Sequence, residues 1–443
     1  MRLIIILSFL FSLNLQSQSL SDKEFEKRLD FEKGNYPIQN YNQDFLDRPG
    51  YVWGIVKSKN DNLIYMAANE GVIEYDGVNI RRVLVKKDTT YSGVFGRPRA
   101  RSLVQMNDGT IYSTGTNRFG RLVDNEYGFK EYEYLLHKLP DSIDYRIQGN
   151  IWGAFEHNNK VIFYTPNFIF SWDGEKFDRI WKMSDYAGAR NSKGKIHGFA
   201  KTGNIPYMRR WGYGMYRLVD DKFQFIEGSE IFADNRIELF YENSNKDLLL
   251  FSRQLGAYIL DKNGKFYKSS NETLNKWLIK NAVYVHDDLK PFKDGSFPVH
   301  SRGGILILDD NLNILNSIDE DDGLETSTTN ITFIDENDNL LIGTTNGFSK
   351  ISFNNSLTEY DSKYGIGGYV WAPIKRIDGK LYFGSTKDLY TLNPSYNPMQ
   401  NNKINILGFN DMMGEFHKFD NSIIGVHNYG LSEYAGNKVN MIS

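Results

Sequence analysis

The chain has 443 residues, a formal net charge of −3 and no cysteine. The slight acidity provides no global field that would attract nucleic acid. The lack of cysteine excludes disulfide bonds and a lipid anchor on an N-terminal cysteine. The 28 Tyr and 29 Phe residues, with little helical periodicity, indicate a β-rich chain whose stability depends on core burial.

The first residues have the order of an export signal. Met1 and Arg2 form a basic start, residues 3–15 are apolar, and residues 16–19 are small and polar. This order predicts a secretory signal peptide over residues 1–19, with a buried first strand as the alternative. No second apolar stretch approaches the roughly 18 residues that a membrane helix needs, so the sequence predicts an exported chain without a membrane span.

Residues 51–82 read as four short strands with turns between them. The Asp76-Gly77 pair between two β-rich runs is a strong hairpin signal, because both turn positions favour positive φ. One four-stranded sheet cannot bury both of its faces alone, so the unit is expected to repeat. Residues 37–44, which precede this unit, are predicted to add an edge strand elsewhere in the fold.

The unit repeats along the whole chain, and its marker is the glycine after the second strand. The marker recurs at Gly71, Gly120, Gly214, Gly256, Gly304, Gly347 and Gly430, with Phe168 and Asp388 in its place in two further units. These nine units, spaced by about 40–50 residues, predict an all-β fold, a β-propeller of four-stranded blades. An ordinary β-sandwich with coincidental turns is the alternative.

The number of units exceeds what one ring usually holds, since propellers have about 4–8 blades. We predict a seven-bladed β-propeller over residues 37–366 and the first blades of a second, incomplete propeller over residues 367–443. The joint between them is predicted near the glycine-rich residues 364–368.

Basic and aromatic residues recur near the predicted loops between second and third strands. The candidate ligand-binding residues are Arg118, Arg209, Arg210, Trp211, Tyr213, Arg253, His300 and Arg302. Arg pairs bidentately with carboxylate or sulfate, and Trp and Tyr can stack against a sugar ring. The set therefore predicts an anionic or polar glycan site at the mouth of the ring, with solvated loop arginines as the alternative.

Two other groups have simpler interpretations. Arg97, Arg99 and Arg101 either line the same mouth or pair with nearby acids. Trp53, Trp152 and Trp371 occupy matching positions on first strands and are predicted to be core aromatics.

Motifs for metal or catalytic chemistry are absent from the sequence. The seven His residues have no metal-ligand spacing, and neither a phosphate loop nor a nucleophile elbow occurs. The acidic residues 319–323 and 335–339 lack the spacing of a calcium loop and are predicted to be hairpin turns. No metal, cofactor or catalytic residue is predicted.

Four phrases, in their order along the chain, resemble a known family. They are PIQNYN, YVWGIVKSKNDNLIYMAANEGVIEYDG, ARSLVQMNDGTIYSTGTNRFGRL and NIWGAFEHNNKVIFYT. They are similar to the periplasmic sensor region of Bacteroidota-type regulators built from two-component-regulator propeller repeats, the hybrid two-component and triple-tyrosine-type regulators. The resemblance implies two propellers ahead of an immunoglobulin-like module, a membrane helix and a cytoplasmic output, with ligands that are often glycans. The output is expected to lie outside these residues.

Three functions follow as hypotheses. The first is a periplasmic ligand-sensing propeller of a membrane-bound regulator, which binds a glycan or another small polar ligand and forms a homodimer through downstream regions. The second is an exported polysaccharide lyase that acts on uronic glycans, with Tyr213 or His300 as the base and arginines neutralising the uronate. The third is a propeller that binds another protein.

Overall fold

The structure is a computed structural model that describes residues 35–42, 50–85, 99–116, 118–143, 151–183, 192–284, 289–353, 357, 359–360, 365–392, 404–435 and 437–442. The predicted signal peptide and Arg97 lie outside the described residues. The chain divides into two compact units, a large unit over Asn35–Glu359 and a small unit that contains Tyr360–Ser443.

The described residues of the large unit form seven sheets, which we call blades 1 to 7 in chain order. Blades 1 to 3 contain β2 (Val52–Lys57), β3 (Ile64–Ala68), β4 (Gly71–Tyr75), β5 (Ile80–Arg82); β6 (Leu84–Val85), β7 (Ala100–Gln105), β8 (Ile111–Gly115), β9 (Arg118–Asp124), β10 (Lys130–Tyr134); and β11 (Gly153–His157), β12 (Lys160–Tyr164), β13 (Phe168–Trp172), β14 (Phe177–Lys182). Blades 4 to 7 contain β15 (Ile196–Thr202), β16 (Ile205–Arg210), β17 (Gly214–Val219), β18 (Lys222–Phe225); β19 (Leu239–Glu242), β20 (Leu248–Ser252), β21 (Gly256–Leu260), β22 (Phe266–Lys268); β23 (Phe297–Ser301), β24 (Gly304–Leu308), β25 (Ile314–Ile318); and β26 (Thr329–Ile334), β27 (Asn339–Thr344), β28 (Gly347–Ser352) with β1 (Ile38–Tyr41).

The blades follow one another around a ring. β2 contacts β7 on one side and β26 on the other, and the contacts continue from β7 to β11, β15 and β19. Blade 5 meets blade 6 through Tyr241 and Phe297, whose ring centroids are 4.1 Å apart, and β23 contacts β26. The predicted fold class, an all-β propeller of four-stranded blades, is confirmed.

β1 closes the ring from the start of the chain. It is the outer strand of blade 7 and pairs antiparallel with β28, with Ile38 opposite Ile351 and Tyr41 opposite Phe348. The prediction that residues 37–44 add an edge strand elsewhere in the fold is therefore correct. A two-way backbone bond between Asn35 and Glu359 joins the ends of the large unit.

The apolar core lies between neighbouring blades. One cluster joins blades 2 and 3 through Phe119, Phe163 and Trp172, and the Phe119 and Phe163 rings stack at 4.3 Å. Similar clusters join blades 1 and 2, blades 3 and 4, blades 4 and 5, blades 6 and 7, and blades 7 and 1. Each sheet thus buries both faces only because a neighbour covers each one, which is why the unit repeats.

Five hairpins between second and third strands share one hydrogen-bond pattern. A hydroxyl near the end of the second strand accepts backbone N–H groups of the turn, at Thr165, Ser252, Ser301, Thr344 and Ser385. Most third strands then begin at a glycine with positive φ, such as Gly71 at 114° and Gly347 at 100°. Only glycine adopts this region without strain, which explains the sequence marker.

The marker was assigned wrongly in one blade. In blade 2, Gly115 pairs with Arg118, so Arg118 begins the third strand and Gly120 lies inside it. Gly120 is required for another reason, since a Cβ there would lie 2.1 Å from the Glu133 carbonyl oxygen on the next strand.

Short helices connect several blades. α1 (Glu272–Asn281) follows blade 5 and is capped by Asn271, whose side chain accepts from the Leu274 N–H at 3.0 Å. Short 3-10 helices cover Leu136–Lys138, Ser229–Phe232 and Glu320–Asp322. The last of these corrects the prediction for residues 319–323, which form a capped 3-10 turn after β25, because Asp319 and Asp322 satisfy each other's backbone N–H groups. Residues 335–339 are a hairpin turn between β26 and β27, as predicted.

The small unit contains two further sheets among its described residues. They comprise β29 (Val370–Ile377), β30 (Lys380–Ser385), β31 (Leu389–Leu392), β32 (Ile404–Ile406), and β33 (Met413–Phe419), β34 (Ser422–His427), β35 (Gly430–Ala435), β36 (Lys438–Met441). A cluster that includes Ala372, Leu389 and Met413 packs the two sheets together. The predicted domain bounds at residues 366 and 367 remain predictions.

Candidate functional site

Four first strands of the large unit, β2, β7, β15 and β26, share an irregularity at one end. Their register shifts at Trp53, at Arg101, at His197 and at Asn330, so that each of these residues lies in a β-bulge. A bulge leaves one residue out of the ladder and redirects its side chain, and bulges are common next to functional sites.

The same position can be followed through all seven blades. The residue before it is always buried: Val52, Ala100, Ile151, Ile196, Ile237, Val283 and Thr329. We call the residues that follow the bulge ring: Trp53, Arg101, Trp152, His197, Glu238, Tyr284 and Asn330. Because the preceding residue pairs with the end of the second strand, as Val52 does with Ala68, the bulge ring lies beside the second hairpins.

In blades 1 to 3 the bulge ring is aromatic. The Arg101 guanidinium lies 4.5 Å from the Trp53 ring centroid and 5.6 Å from that of Trp152, so one cation is held between two indoles. Tyr51, which is 42% exposed, stacks on Trp53 with centroids 5.4 Å apart. We call Tyr51, Trp53, Arg101 and Trp152 the aromatic sector.

In blades 4 to 6 the bulge ring is charged. Glu238 is 2% exposed and its Oε1 lies 2.8 Å from Arg253 Nε, in an ion pair rather than an aligned hydrogen bond. Its other oxygen lies 3.9 Å from His197 Nε2, and Arg236 approaches to 4.0 Å. Tyr284 accepts a 2.9 Å hydrogen bond from Arg302 Nε at its hydroxyl.

Beside this charged part lies a buried arginine. Arg209 has no exposed surface, and its guanidinium Cζ stacks 3.5 Å from the ring centroid of Trp211. Nε and Nη2 donate to the carbonyl oxygens of Phe232 and Ala233. Burial lowers the pKa of Arg209 to about 9, so the side chain is still protonated at neutral pH.

A cavity runs along the first strands from Trp53. It has a volume of about 750 Å³ and extends to the exposed turns of the first hairpins at Lys59, Asn107 and Gly203. Ion pairs cross between blades at that end, from Lys57 to Glu336 and from Lys201 to Glu156. The bulge ring and the cavity share Trp53, which lies at the end of the cavity opposite these turns.

The structure places the predicted ligand residues in several different settings. Trp211, Arg253 and Arg302 lie beside the bulge ring: the Trp211 ring is 5.8 Å from that of His197, and the two arginines contact Glu238 and Tyr284. Tyr213 is 40% exposed in the same hairpin as Trp211.

The other predicted residues are not loop residues, because the second and third strands extend further than the sequence indicated. Arg118 is buried at the start of β9 and bonds to Tyr134, and Arg209 and Arg210 lie in β16. Arg210 donates to the carbonyl oxygens of Gly194 and Met183. His300 is 1% exposed within β23 rather than in the hairpin that follows it, and this position does not fit the lyase base that the sequence suggested.

The tryptophan prediction is also corrected. Trp53 and Trp152 are only partly buried, and Trp371 is 70% exposed. Trp53 and Trp371 lie within a register irregularity, where a bulge turns the side chain out of the packed interface, and Trp152 directly precedes β11. A sequence signal for this was present, since a small residue follows the bulge residue at Gly54, Ser102, Gly153 and Gly198.

Neither a cluster of metal ligands nor a membrane-spanning helix occurs among the described residues. Among them, no three His, Asp or Glu side chains lie close enough together to hold a metal ion. No helix in the described ranges has the length and apolarity that crossing a membrane requires.

Comparisons with known proteins place the fold. No family model matches the chain, and no curated protein matches it. Among solved structures, the chain is similar to a domain described as the extracellular domain of the hybrid two component system BT3049 from B. thetaiotaomicron, with a TM-score of 0.62, 15% identity and 92% of this chain covered. The corresponding domain of BT4673 from the same organism has a TM-score of 0.53 and 13% identity, with 90% of this chain covered. The WD40 β-propeller domain of Doa1 has a TM-score of 0.50 and 11% identity, with 73% of this chain covered.

The chain spans about half the length of the two-component structures, 54% and 52% of those chains. The predicted resemblance to the sensor region of two-component regulators is thus matched by structures of that kind. At these identities the likeness establishes a shared β-propeller fold.

Proposed function

We propose that this chain is the exported ligand-binding part of a periplasmic sensor in a membrane-bound signal-transduction regulator, and that the bulge ring holds its ligand, a carbohydrate. The observation that carries the proposal is the bulge ring itself. Seven equivalent positions, four of them in β-bulges, bring aromatic and charged side chains beside the second hairpins, on the fold that extracellular domains of two-component systems share.

The aromatic sector supports a carbohydrate ligand. Indole and phenol rings present a flat apolar face with a polar edge, which suits the C–H face and hydroxyl edge of a sugar. Tyr51 is exposed and rests on Trp53, so the pair offers a rigid platform that loses little entropy on binding. The charged side chains of blades 4 to 6 supply donors for hydroxyl and acidic groups.

The test is binding of a glycan panel to the purified chain from residue 20 onward. We expect at least one oligosaccharide to bind in isothermal titration calorimetry, and Trp53→Ala to weaken it at least tenfold, because the platform under Tyr51 is lost. Tyr127→Ala is the matched control: Tyr127 is 74% exposed in the turn between β9 and β10, and its removal should leave affinity unchanged. A panel without any binder, or equal loss in both variants, would refute the proposal.

A further inference from the structure

Basic residues concentrate in one part of the large unit, although the chain is slightly acidic. We call this part the cationic sector; it lies in blades 4 to 6 beside the bulge ring. It contains Lys193, Arg209, Arg210, Arg236, Arg253 and Arg302, with the carboxylates of Asp234 and Glu238 among them. Positive charges outnumber negative charges in this sector. An anionic ligand group is therefore stabilised there by an electrostatic attraction that a neutral group does not experience.

Three donors in this sector make no hydrogen bond within the described residues, and one of them, Arg253 Nε, is ion-paired with Glu238. The two others lie on stacked side chains. They are Nη1 of Arg209, which is 0% exposed, and Nε1 of Trp211, which is 8% exposed. A buried donor without a partner costs about 1–3 kcal/mol, and more when charged, so such groups are normally satisfied by water or a ligand. The stacking of the guanidinium on the indole brings both donors into one small volume.

These donors connect directly to the bulge ring. The Trp211 ring lies 5.8 Å from that of His197, and Arg253 holds the Glu238 carboxylate next to it. Trp211 leads into the hairpin of residues 211–213, whose Gly212 has φ +72°. The indole covers the guanidinium, so an anion can meet both donors only when this hairpin moves aside, and the subsite requires that movement.

We propose that Arg209 and Trp211 form an anion subsite beside the bulge ring, and that the ligand of this sensor is therefore an acidic saccharide whose carboxylate or sulfate enters there. The saccharide part of this inference rests on the proposed function, whereas the anion part does not. The guanidinium Nη1 and the indole Nε1 donate to the anion, which replaces the missing acceptors, while the sugar ring lies on the aromatic sector.

The first experiment compares trigalacturonate with its carboxyl-reduced, neutral trisaccharide, and adds sodium sulfate against sodium chloride at equal ionic strength. We expect the acidic trisaccharide to bind at least tenfold more tightly than the neutral one. We also expect sulfate, unlike chloride, to change the tryptophan fluorescence, because Trp211 moves on its arginine.

Variants test the donors themselves. Trp211→Phe keeps a ring but removes both the N–H and the fluorescent reporter, so its readout is the preference for the acidic trisaccharide, which should fall at least threefold. Trp277→Phe in α1, where Trp277 is 9% exposed, is the matched control and should leave the preference and the sulfate response unchanged. Arg209→Gln, with folding checked by circular dichroism, should abolish the sulfate response.

The outcomes separate the two proposals. Equal binding of both trisaccharides overturns the anion subsite and leaves the proposed function standing. Binding of neither trisaccharide, together with a sulfate response that is lost in Arg209→Gln, supports the subsite and counts against the carbohydrate. No binding and no sulfate response overturns the subsite, whose donors then hold only water.

Discussion

At the scale of single residues, Asp388 shows how a side chain replaces the glycine of the repeat. It occupies the marker position before β31, where it is 3% exposed. Its carboxylate accepts from the backbone N–H groups of Leu389, Gly408, Phe409 and Asn410 at 2.7–3.1 Å. Hydrogen bonds to an ionised acceptor are stronger than neutral ones, so this residue ties the second hairpin of its blade to the segment after β32.

Asp388→Asn should therefore destabilise the small unit. The amide nitrogen would face N–H donors, and we expect a loss of about 2 kcal/mol in the free energy of unfolding. Asp378→Asn is the control in the same unit, since Asp378 is exposed and pairs with Lys418 at the surface. Calorimetry of both variants gives the comparison, and a similar cost for the two would contradict the role of Asp388.

A second residue pair links pH to stability. Burial alone would raise the pKa of Glu156, but hydrogen bonds from Lys201 and from the Asn159 N–H hold it below its ordinary value. A carboxyl with a lowered folded-state pKa stabilises the fold above its unfolded pKa, and that contribution is lost as pH falls through the folded pKa.

Lys201→Gln should accordingly cost about 1 kcal/mol at pH 7. The difference from the unmodified chain should shrink as the pH falls through the lowered folded-state pKa of Glu156, because below it this carboxyl is protonated in both chains. Urea unfolding between pH 3 and pH 7 measures this, with Lys222→Gln as an exposed control in the same blade. A difference that stays constant over this range would exclude the pair as its source.

At the scale of elements, one strand from the start of the chain completes the ring. β1 supplies the fourth strand of blade 7, and Tyr41 stacks on Phe348 at 4.4 Å while its edge meets Tyr75 of blade 1. Ile38 packs into the cluster between blades 6 and 7, whereas Gln39 faces solvent. The strand thus joins both ends of the ring through alternate side chains.

Ile38→Asp should weaken this closure by about 2–3 kcal/mol, because a carboxylate would be placed against an apolar cluster. Gln39→Asp puts the same charge on the opposite face of the same strand and should cost less than about 0.5 kcal/mol. Urea unfolding followed by near-ultraviolet circular dichroism distinguishes them. Equal effects of the two substitutions would mean that the added charge, and not the lost packing of Ile38, causes the destabilisation.

At the scale of the whole molecule, the two units have separate cores. The clusters around Phe383 and Met413 contain only residues of the small unit, and the clusters between blades 1 to 7 contain only residues of the large unit. Because unfolding enthalpy grows with the number of residues, at about 0.7 kcal/mol per residue, the large unit should dominate a calorimetric trace.

We expect two calorimetric transitions, of which the larger belongs to the large unit. Asp388→Asn should move only the smaller transition, and Ile38→Asp only the larger one. A single transition that shifts as a whole in both variants would show instead that the units unfold cooperatively.

The sequence by itself determined the blade, its repetition and the family it resembles. Hairpins are local, so Asp76-Gly77 and the marker glycines carry their geometry in a few neighbouring residues. The marker of blade 2 was assigned to Gly120 in error, because a close approach of the next strand requires glycine just as a turn does.

Only the tertiary structure decided which side chains form the bulge ring and which are buried. A bulge redirects Trp53 and Trp371 out of the core, and neighbouring strands bury Arg209 and His300 although their residue types suggested a surface site. These outcomes depend on the packing of one blade against the next, between residues far apart in the chain. The closure of the ring by β1 is of the same kind, since Ile38 meets Ile351 in the seventh sheet only when the six sheets between them in the chain have been placed.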